Sequence, residues 1–169
     1  MPDYKILTSD LEVALSRDAA DVEDAVAAME SDNTPYAEEV RKDRRRLLWM
    51  VQESNGIYLF IVARTLRHGR DYAGHALINY SEWIANRATI MDFYVRPKYR
   101  GAKTVRHFWL AVRKFLEAMK VHRVIVNCRS DYEGMIRLYD RVGFRKDADL
   151  KNWTSDGADY VQYYLVLEA

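Results

Sequence analysis

Residues 90–119 read IMDFYVRPKYRGAKTVRHFWLAVRKFLEAM, a strand, a short basic turn and a helix in that order. Met91-Asp92-Phe93-Tyr94-Val95 is rich in residues that favour strands, and it stops before Pro97, which cannot donate to a ladder. Val105, Phe108, Trp109, Val112, Leu116 and Met119 then recur at helical steps and predict one apolar stripe, with Arg106, His107, Arg113, Lys114, Glu117 and Lys120 off it. The turn between them, Lys98 to Thr104, leads into a helix N-terminus, whose free N–H groups and positive dipole end suit an anion. Lys98, Arg100, Lys103 and Arg106 add positive charge around it. A phosphate-bearing ligand is the natural inference.

Outward from this stretch the chain alternates strands and helices. The runs Tyr72–Glu82 and Ala88–Val95 are joined by a short connection, which implies antiparallel neighbours. The helix Thr104–Lys120 leads into Arg123–Cys128, and two strands joined through a helix are usually parallel with a right-handed crossover. Ser130 and Glu133 have the spacing of a capping box for a short helix ending at Gly143. Lys146–Trp153 and Tyr160–Leu167 read as a closing hairpin around Thr154-Ser155-Asp156-Gly157. Towards the N-terminus, residues 1–10 read as a loosely held tail and Glu12–Leu15 as a short strand. Arg17–Glu30 reads as a helix with acidic residues in its first turn. A second helix opens at Thr34-Pro35, buries Tyr36, Val40, Leu47 and Val51, and ends at Ser54-Asn55-Gly56.

Two motifs in this order carry a family resemblance. Tyr94-Val95-Arg96-Pro97-Lys98-Tyr99-Arg100-Gly101 resembles motif A of the GNAT superfamily of acyl-CoA N-acyltransferases. Leu138-Tyr139-Asp140-Arg141-Val142-Gly143-Phe144 resembles that family's LY-x-x-x-GF signature. The resemblance covers Ile57 to the C-terminus well and the N-terminal third loosely. It implies a single GNAT-like domain over residues 1–169, a mixed α/β fold in the order β-α-α-β-β-β-α-β-α-β-β, and a splayed central pair of parallel strands, Ile90–Val95 and Arg123–Cys128. It also decides for strand over helix at Ile57–Thr65. Asp92-x-Tyr94-Val95-x-Pro97-x-Tyr99-Arg100-Gly101 is further similar to divergent GNAT-like proteins of bacteriophages.

The resemblance implies acetyl-CoA as co-substrate. Backbone around Tyr94 and Val95 would bind the acyl oxygen. The backbone N–H groups of Gly101, Ala102, Lys103, Thr104 and Val105, with Arg100, would hold the pyrophosphate. Tyr139 matches the tyrosine that often protonates the leaving thiolate, a phenol near pKa ~10 against a thiol near ~8.5; the alternative is a ring packed in the core with its hydroxyl bonded to backbone. Asp92 is the candidate for taking a proton from the amine, because an unpaired carboxylate in an apolar strand is expensive; the alternative is a carboxylate facing solvent or paired with an arginine. Glu82 is a second candidate. The chain departs from the family at three places. The phosphate loop is R-x-x-K-x-V, with Lys103 and Val105 where small residues let the backbone approach the pyrophosphate. Tyr132 and Met135 stand where the family has asparagine and alanine, and both add bulk.

Other candidates carry less. His107 falls on the polar side of its helix, and His68 and His75 have no ligand spacing to one another, so no metal site is expected. Cys128, the single cysteine, excludes an internal disulfide framework and a cysteine-based zinc site, and a lone strand cysteine is more often a small buried hydrophobe than a nucleophile. The resemblance implies that Asn127 beside it would touch the amides of the acyl carrier, as a strand end in that family does. Arg41 to Arg46 is the densest basic run; spread around a helix it reads as a solvated face, and the sharper alternative is contact with an acidic partner or nucleic acid. The net charge of +1 gives no general argument for nucleic acid or anionic membrane. No apolar run has the length of a membrane span and the N-terminus lacks a signal-peptide pattern, so a cytoplasmic protein is expected. The acceptor amine is open, and a homodimer is compatible with the family. The rival reading is a catalytically degenerate GNAT-fold protein that acts through a protein or nucleic-acid partner.

Overall fold

The computed structural model describes residues 5–32, 44–54, 57–66, 69–81 and 86–167. Among the described residues, eight strands and four α-helices follow one another as β1 (Lys5–Leu7), β2 (Leu11–Ser16), α1 (Ala19–Ser31), α2 (Arg44–Gln52), β3 (Tyr58–Thr65), β4 (Tyr72–Ser81), β5 (Arg87–Val95), α3 (Ala102–Ala118), β6 (Arg123–Arg129), α4 (Glu133–Arg141), β7 (Arg145–Leu150) and β8 (Tyr160–Val166). They form a mixed α/β fold with one sheet in the order β1-β2-β3-β4-β5-β6-β8-β7. Every neighbouring pair is antiparallel except β5 and β6, which run parallel with α3 between them in the chain. The expected strand at Ile57–Thr65 is β3, starting one residue later.

The sheet is covered on both faces. Along β3, Leu59, Ile61 and Ala63 pack into one hydrophobic cluster, and Phe60 and Val62 into another. Successive strand residues point to opposite faces, so the two clusters lie on opposite sides. The first is capped by α3, whose Phe108, Trp109, Val112 and Leu116 are buried as the stripe predicts. The second is capped by α1 and α2 through Val22, Ala25, Met50 and Val51. The helix α3 ends because Lys120 takes φ +58°. There the N–H of Val121 donates to Leu116 O and that of Lys120 to Glu117 O, the two bonds of a Schellman cap.

Two expectations need correction. The loose tail is in part structured: Lys5–Leu7 forms an edge strand on β2, because Thr8 Oγ1 accepts from the N–H of Leu11 and closes a tight turn. The capping box is not formed. The chain stays in β6 until Arg129 and the Ser130 N–H donates to Asp159 O, so the short helix begins at Glu133 with Tyr132 before it. Gly143, at φ +93°, closes that helix as expected. The start of the second helix at Thr34-Pro35, with Tyr36 and Val40, lies outside the described residues, as do Glu82 and His68.

The strand β4 is irregular twice. Its register against β3 shifts beside Ala73, and its register against β5 shifts at Met91. Gly74 sits between these bulges, and a Cβ there would meet Tyr94 O at 2.2 Å and Val95 Cα at 3.0 Å. Both are backbone atoms of β5, so neither can swing away. Gly74→Ala therefore forces β4 from β5, and we expect it to cost at least about 1–3 kcal/mol in denaturant unfolding. A variant as stable as the wild type contradicts this close approach.

Candidate active site

The parallel pair holds together for only a few residues. Arg87 to Ile90 of β5 face Arg123 to Val126 of β6, and there the pairing ends. The strand β6 continues straight, paired with β8 as far as Arg129 opposite Tyr160. The bulge at Met91 bends β5 away at the same level. A cleft of about 450 Å³ opens between the two strands. Met91, Asp92 and Phe93 line it from β5, Asn127 and Cys128 from β6, and Met135 and Tyr139 from α4.

The cleft reaches both faces of the sheet. Phe93 stacks on Phe108 and meets Trp109 edge-on, which puts it on the α3 face. Tyr94 donates its hydroxyl to Asp32 at the end of α1, 2.6 Å away, so Tyr94, and with it Asp92 two residues before, lies on the α1–α2 face. Met29, Leu47 and Met50 from α1 and α2 line that side. Tyr139 belongs to the α3 face, since its ring packs on Phe144, which in turn packs on Trp109. The two expected proton-transfer groups thus approach the splay from opposite sides of the sheet.

Tyr139 is 5% exposed, and its hydroxyl has no hydrogen-bond partner among the described residues. Burial pushes its phenol well above the ordinary tyrosine range, with the charges of Cys128 and Asp92 adding to the effect. The phenol therefore keeps its proton. Cys128 is also buried, and desolvation with the nearby Asp131 carboxylate pushes its thiol up to about 11. A thiol so protonated is a poor nucleophile. Asn127 Oδ1 accepts from Gln162 Nε2 at 3.0 Å, so β8 fixes that side chain.

Among the described residues, Asp92 neither faces solvent alone nor pairs with an arginine. Its Oδ2 lies 2.8 Å from His75 Nε2, and its side chain keeps 43% exposure. His75 is 2% exposed, and its other nitrogen, Nδ1, lies 2.5 Å from the Tyr72 hydroxyl. Tyr72, His75 and Asp92 form one chain of contacts from the core under α1 to the cleft.

The turn after β5 winds once as a 3₁₀ helix at Pro97–Tyr99 and enters α3 with Gly101 as N-cap and no side chain capping it. Lys103 and Arg106 are exposed there. Thr104 and Val105 are half-buried, Val105 against the core. Arg100 donates from Nε to Val95 O at 2.7 Å and lies 5.8 Å from the Tyr94 ring centroid. His107, expected on the surface, is half-buried: Asp10 from the β1–β2 turn lies 2.5 Å from its Nδ1 and 3.4 Å from Thr104 Oγ1.

The splayed pair with a basic helix N-terminus after its first strand agrees with what known proteins show. A family model described as the acetyltransferase (GNAT) family matches residues 24–144. The chain belongs to the GNAT family. A sequence comparison with curated proteins finds no match. Among solved structures, a probable acetyltransferase from Staphylococcus epidermidis superposes with TM-score 0.80 at 10% identity, covering 94% of this chain and 99% of that one. The ribosomal-protein-S18-alanine N-acetyltransferase of Escherichia coli gives 0.72 at 18% identity over 94% and 95%. The ribosomal-protein-S5-alanine acetyltransferase of Vibrio fischeri gives 0.77 at 12% identity over 97% of each chain.

In this GNAT chain the candidate residues fall into two groups. Asp92 and Tyr139 share the cleft. Tyr94 and Val95, expected at the acyl oxygen, are buried two residues further along β5 and are not among the cleft's lining residues. Arg100, Gly101, Ala102, Lys103, Thr104 and Val105 follow them at the entry to α3, and none of these side chains among the described ones lines the cleft. Tyr72 is not among the sequence candidates, and His75 enters there only as a histidine without metal-ligand spacing. Among the described residues no three His, Cys, Asp or Glu side chains gather as a metal ion would require, and no helix is long and apolar enough to cross a membrane.

An ion pair braces the Asp92 side of the cleft. Arg96 donates to both oxygens of Asp32, each at 2.9 Å, which ties the end of β5 to the end of α1. The Arg96 hydrogen bonds hold the Asp32 carboxyl below its ordinary range against desolvation, and the Tyr94 hydroxyl helps. The folded protein thus refuses a proton that the unfolded chain takes up near pH ~4. The stability from this group is present above that pH and is lost as pH falls through the lowered folded value. In urea unfolding, Asp32→Asn should be less stable than wild type by a constant amount at pH 5–7, and the gap should narrow below about pH 4. A gap independent of pH down to ~2 rules this out.

Proposed function

We propose that this chain is an N-acetyltransferase that moves the acetyl group of acetyl-CoA directly to an amine in the β5–β6 cleft. The observation that carries the reading is the cleft itself, which brings a carboxylate from one sheet face and a protonated phenol from the other to a gap between parallel strands. The residues present suit the donor. Beyond Ile90 the backbone of β5 has no ladder partner in β6, which supports a pantetheine lying along it, with the backbone around Tyr94 and Val95 taking the acyl oxygen just past the cleft. The N–H groups of Ala102, Lys103 and Thr104 in the first turn of α3 suit the pyrophosphate, with Arg100, Lys103 and Arg106 supplying charge, whereas those of Gly101 and Val105, also expected there, already donate to Tyr99 O and Gly101 O. Lys103 is exposed and Val105 turns to the core, so their bulk is compatible with that role.

The donor occupies the splay from the α3 side, and the amine comes from the α1–α2 side, where Asp92 stands. As the amine nitrogen bonds to the carbonyl carbon, Asp92 takes its proton. As the carbon–sulfur bond breaks, Tyr139 gives its proton to the sulfur. Its raised pKa means that this transfer follows charge development on the sulfur. Exchange with solvent then restores Asp92 to carboxylate and Tyr139 to phenol. A second reading, a GNAT-fold protein acting by binding a partner, draws on one observation: the Asp10 carboxylate sits at the turn that would receive the pyrophosphate.

By their descriptions, two of the similar structures acetylate alanine in ribosomal proteins, so a protein N-terminal amine is the acceptor class to test first. Release of the CoA thiol from acetyl-CoA should be measured with an alanine-terminated peptide, a lysine peptide, spermidine and an aminoglycoside. We expect one class to raise thiol release well above hydrolysis. No amine raising it, with acetyl-CoA bound, favours the binding-protein reading.

A further inference from the structure

We propose that His75 and Tyr72 are positioning residues that hold Asp92 by one carboxylate oxygen, Oδ2, and so present Oδ1 to the cleft as the proton acceptor; this rests on the acyl-transfer reading above. The placement of hydrogens follows from the contacts. A carboxylate only accepts, so with Asp92 in the form a base requires, the hydrogen between His75 Nε2 and Asp92 Oδ2 belongs to the ring. A neutral imidazole carrying hydrogen at Nε2 accepts at Nδ1. The Tyr72 hydroxyl is the group at Nδ1, so it donates there.

The chain is thus polarised in one direction, Tyr72 to His75 to Asp92. Oδ2 is occupied, while Oδ1 has no hydrogen bond among the described residues and belongs to a side chain that lines the cleft. The ring itself cannot swing. It is 2% exposed and sits between the rings of Phe60 and Tyr94, with centroids at 5.3 and 5.7 Å.

The same contacts argue against a proton relay through the imidazole. A proton arriving at Oδ1 would have to leave the ring at Nδ1, but that nitrogen already faces the hydroxyl proton of Tyr72. Passing charge onward would need a Tyr72 phenolate. Burial pushes that phenol well above its ordinary range, and the Asp92 charge adds to it. The amine's proton therefore stays on Asp92 until solvent removes it, and His75 acts by orientation. A metal-like arrangement is a familiar parallel: a ring nitrogen fixed by a hydrogen bond on its far side sets tautomer and direction on the near side.

The test combines a spectroscopic and a kinetic readout on the full chain. Long-range 15N–1H NMR should show the His75 ring hydrogen on Nε2 and none on Nδ1, and Tyr72→Phe should populate the Nδ1–H form. With acetyl-CoA and the best amine of the panel, His75→Leu should lower kcat roughly 10- to 100-fold while KM for acetyl-CoA stays within about twofold. His75→Gln should recover most of that loss, because its amide can donate to Asp92 and its carbonyl can accept from Tyr72. Tyr72→Phe, which leaves no ring-sized hole, should lower kcat by a smaller factor, about 3- to 10-fold. A hydrogen on Nδ1 in the wild type overturns the proposal, as does a His75→Gln protein no more active than His75→Leu at equal melting temperature. Wild-type turnover that survives His75→Leu removes the positioning role alone. No turnover by wild type on any amine removes the reaction and the role together.

Discussion

Asp92→Asn lowers turnover about 100- to 1,000-fold, with KM for acetyl-CoA within about twofold, if Asp92 is the proton acceptor. The substitution is nearly isosteric. An asparagine Oδ1 can still accept from His75 Nε2, so the local contacts survive and stability should change little. What is lost is the ability to take a proton at the other position. Because Asp92 lies on the α1–α2 face, the loss should fall on attack by the amine and leave donor binding alone. The check is thiol release at saturating acetyl-CoA with the best acceptor, alongside a melting curve. Turnover within about threefold of wild type would take Asp92 out of the chemistry and leave it a surface partner of His75.

Tyr139→Phe should lower kcat roughly 10- to 100-fold, again with donor affinity unchanged. Here the control is unusually clean. A tyrosine kept for packing would have its hydroxyl bonded within the protein, and removing it would leave an orphaned partner. Tyr139 has no such partner among the described residues, while its ring fills the space between Phe144 and Tyr163. Phenylalanine keeps that packing, so stability should stay within about 0.5 kcal/mol. A large fall in kcat at constant stability can then be read as loss of the acid. Unchanged turnover would mean that solvent protonates the thiolate.

Much of the fold is legible in the sequence because it rests on local periodicity. The stripe of α3, the β-branched run of β6 and the turn at Gly143 each declare their state within a few residues. The β1 strand is too short for a periodic signal, although Thr8-Ser9-Asp10 is a turn signature that could have marked it. Second-helix residues such as Leu47 and Val51 pack as their spacing predicts.

The site is legible only in part, and the reason is geometric. Tyr72 and His75 are three apart, which in a regular strand puts them on opposite faces. The register shift beside Ala73 brings them to the same side. His75 and Asp92 then meet diagonally across the strand pair, His75 lying opposite Tyr94 and Leu77 opposite Asp92. A bulge leaves no composition signal, so His75 looks like an isolated histidine in the sequence. The two motifs, by contrast, are sequence features of turns and helix ends, and they point to the cleft without showing which side chains share it.

The most direct measurement is a calorimetric titration of acetyl-CoA into the purified protein, with native mass spectrometry to detect CoA already bound. The account predicts one site with a Kd on the order of micromolar, weakened when Lys103 and Arg106 are both replaced by glutamate. No heat on titration, with no CoA already in the cleft, would contradict it, because a splay that takes no donor cannot bring Asp92 and Tyr139 to one reaction.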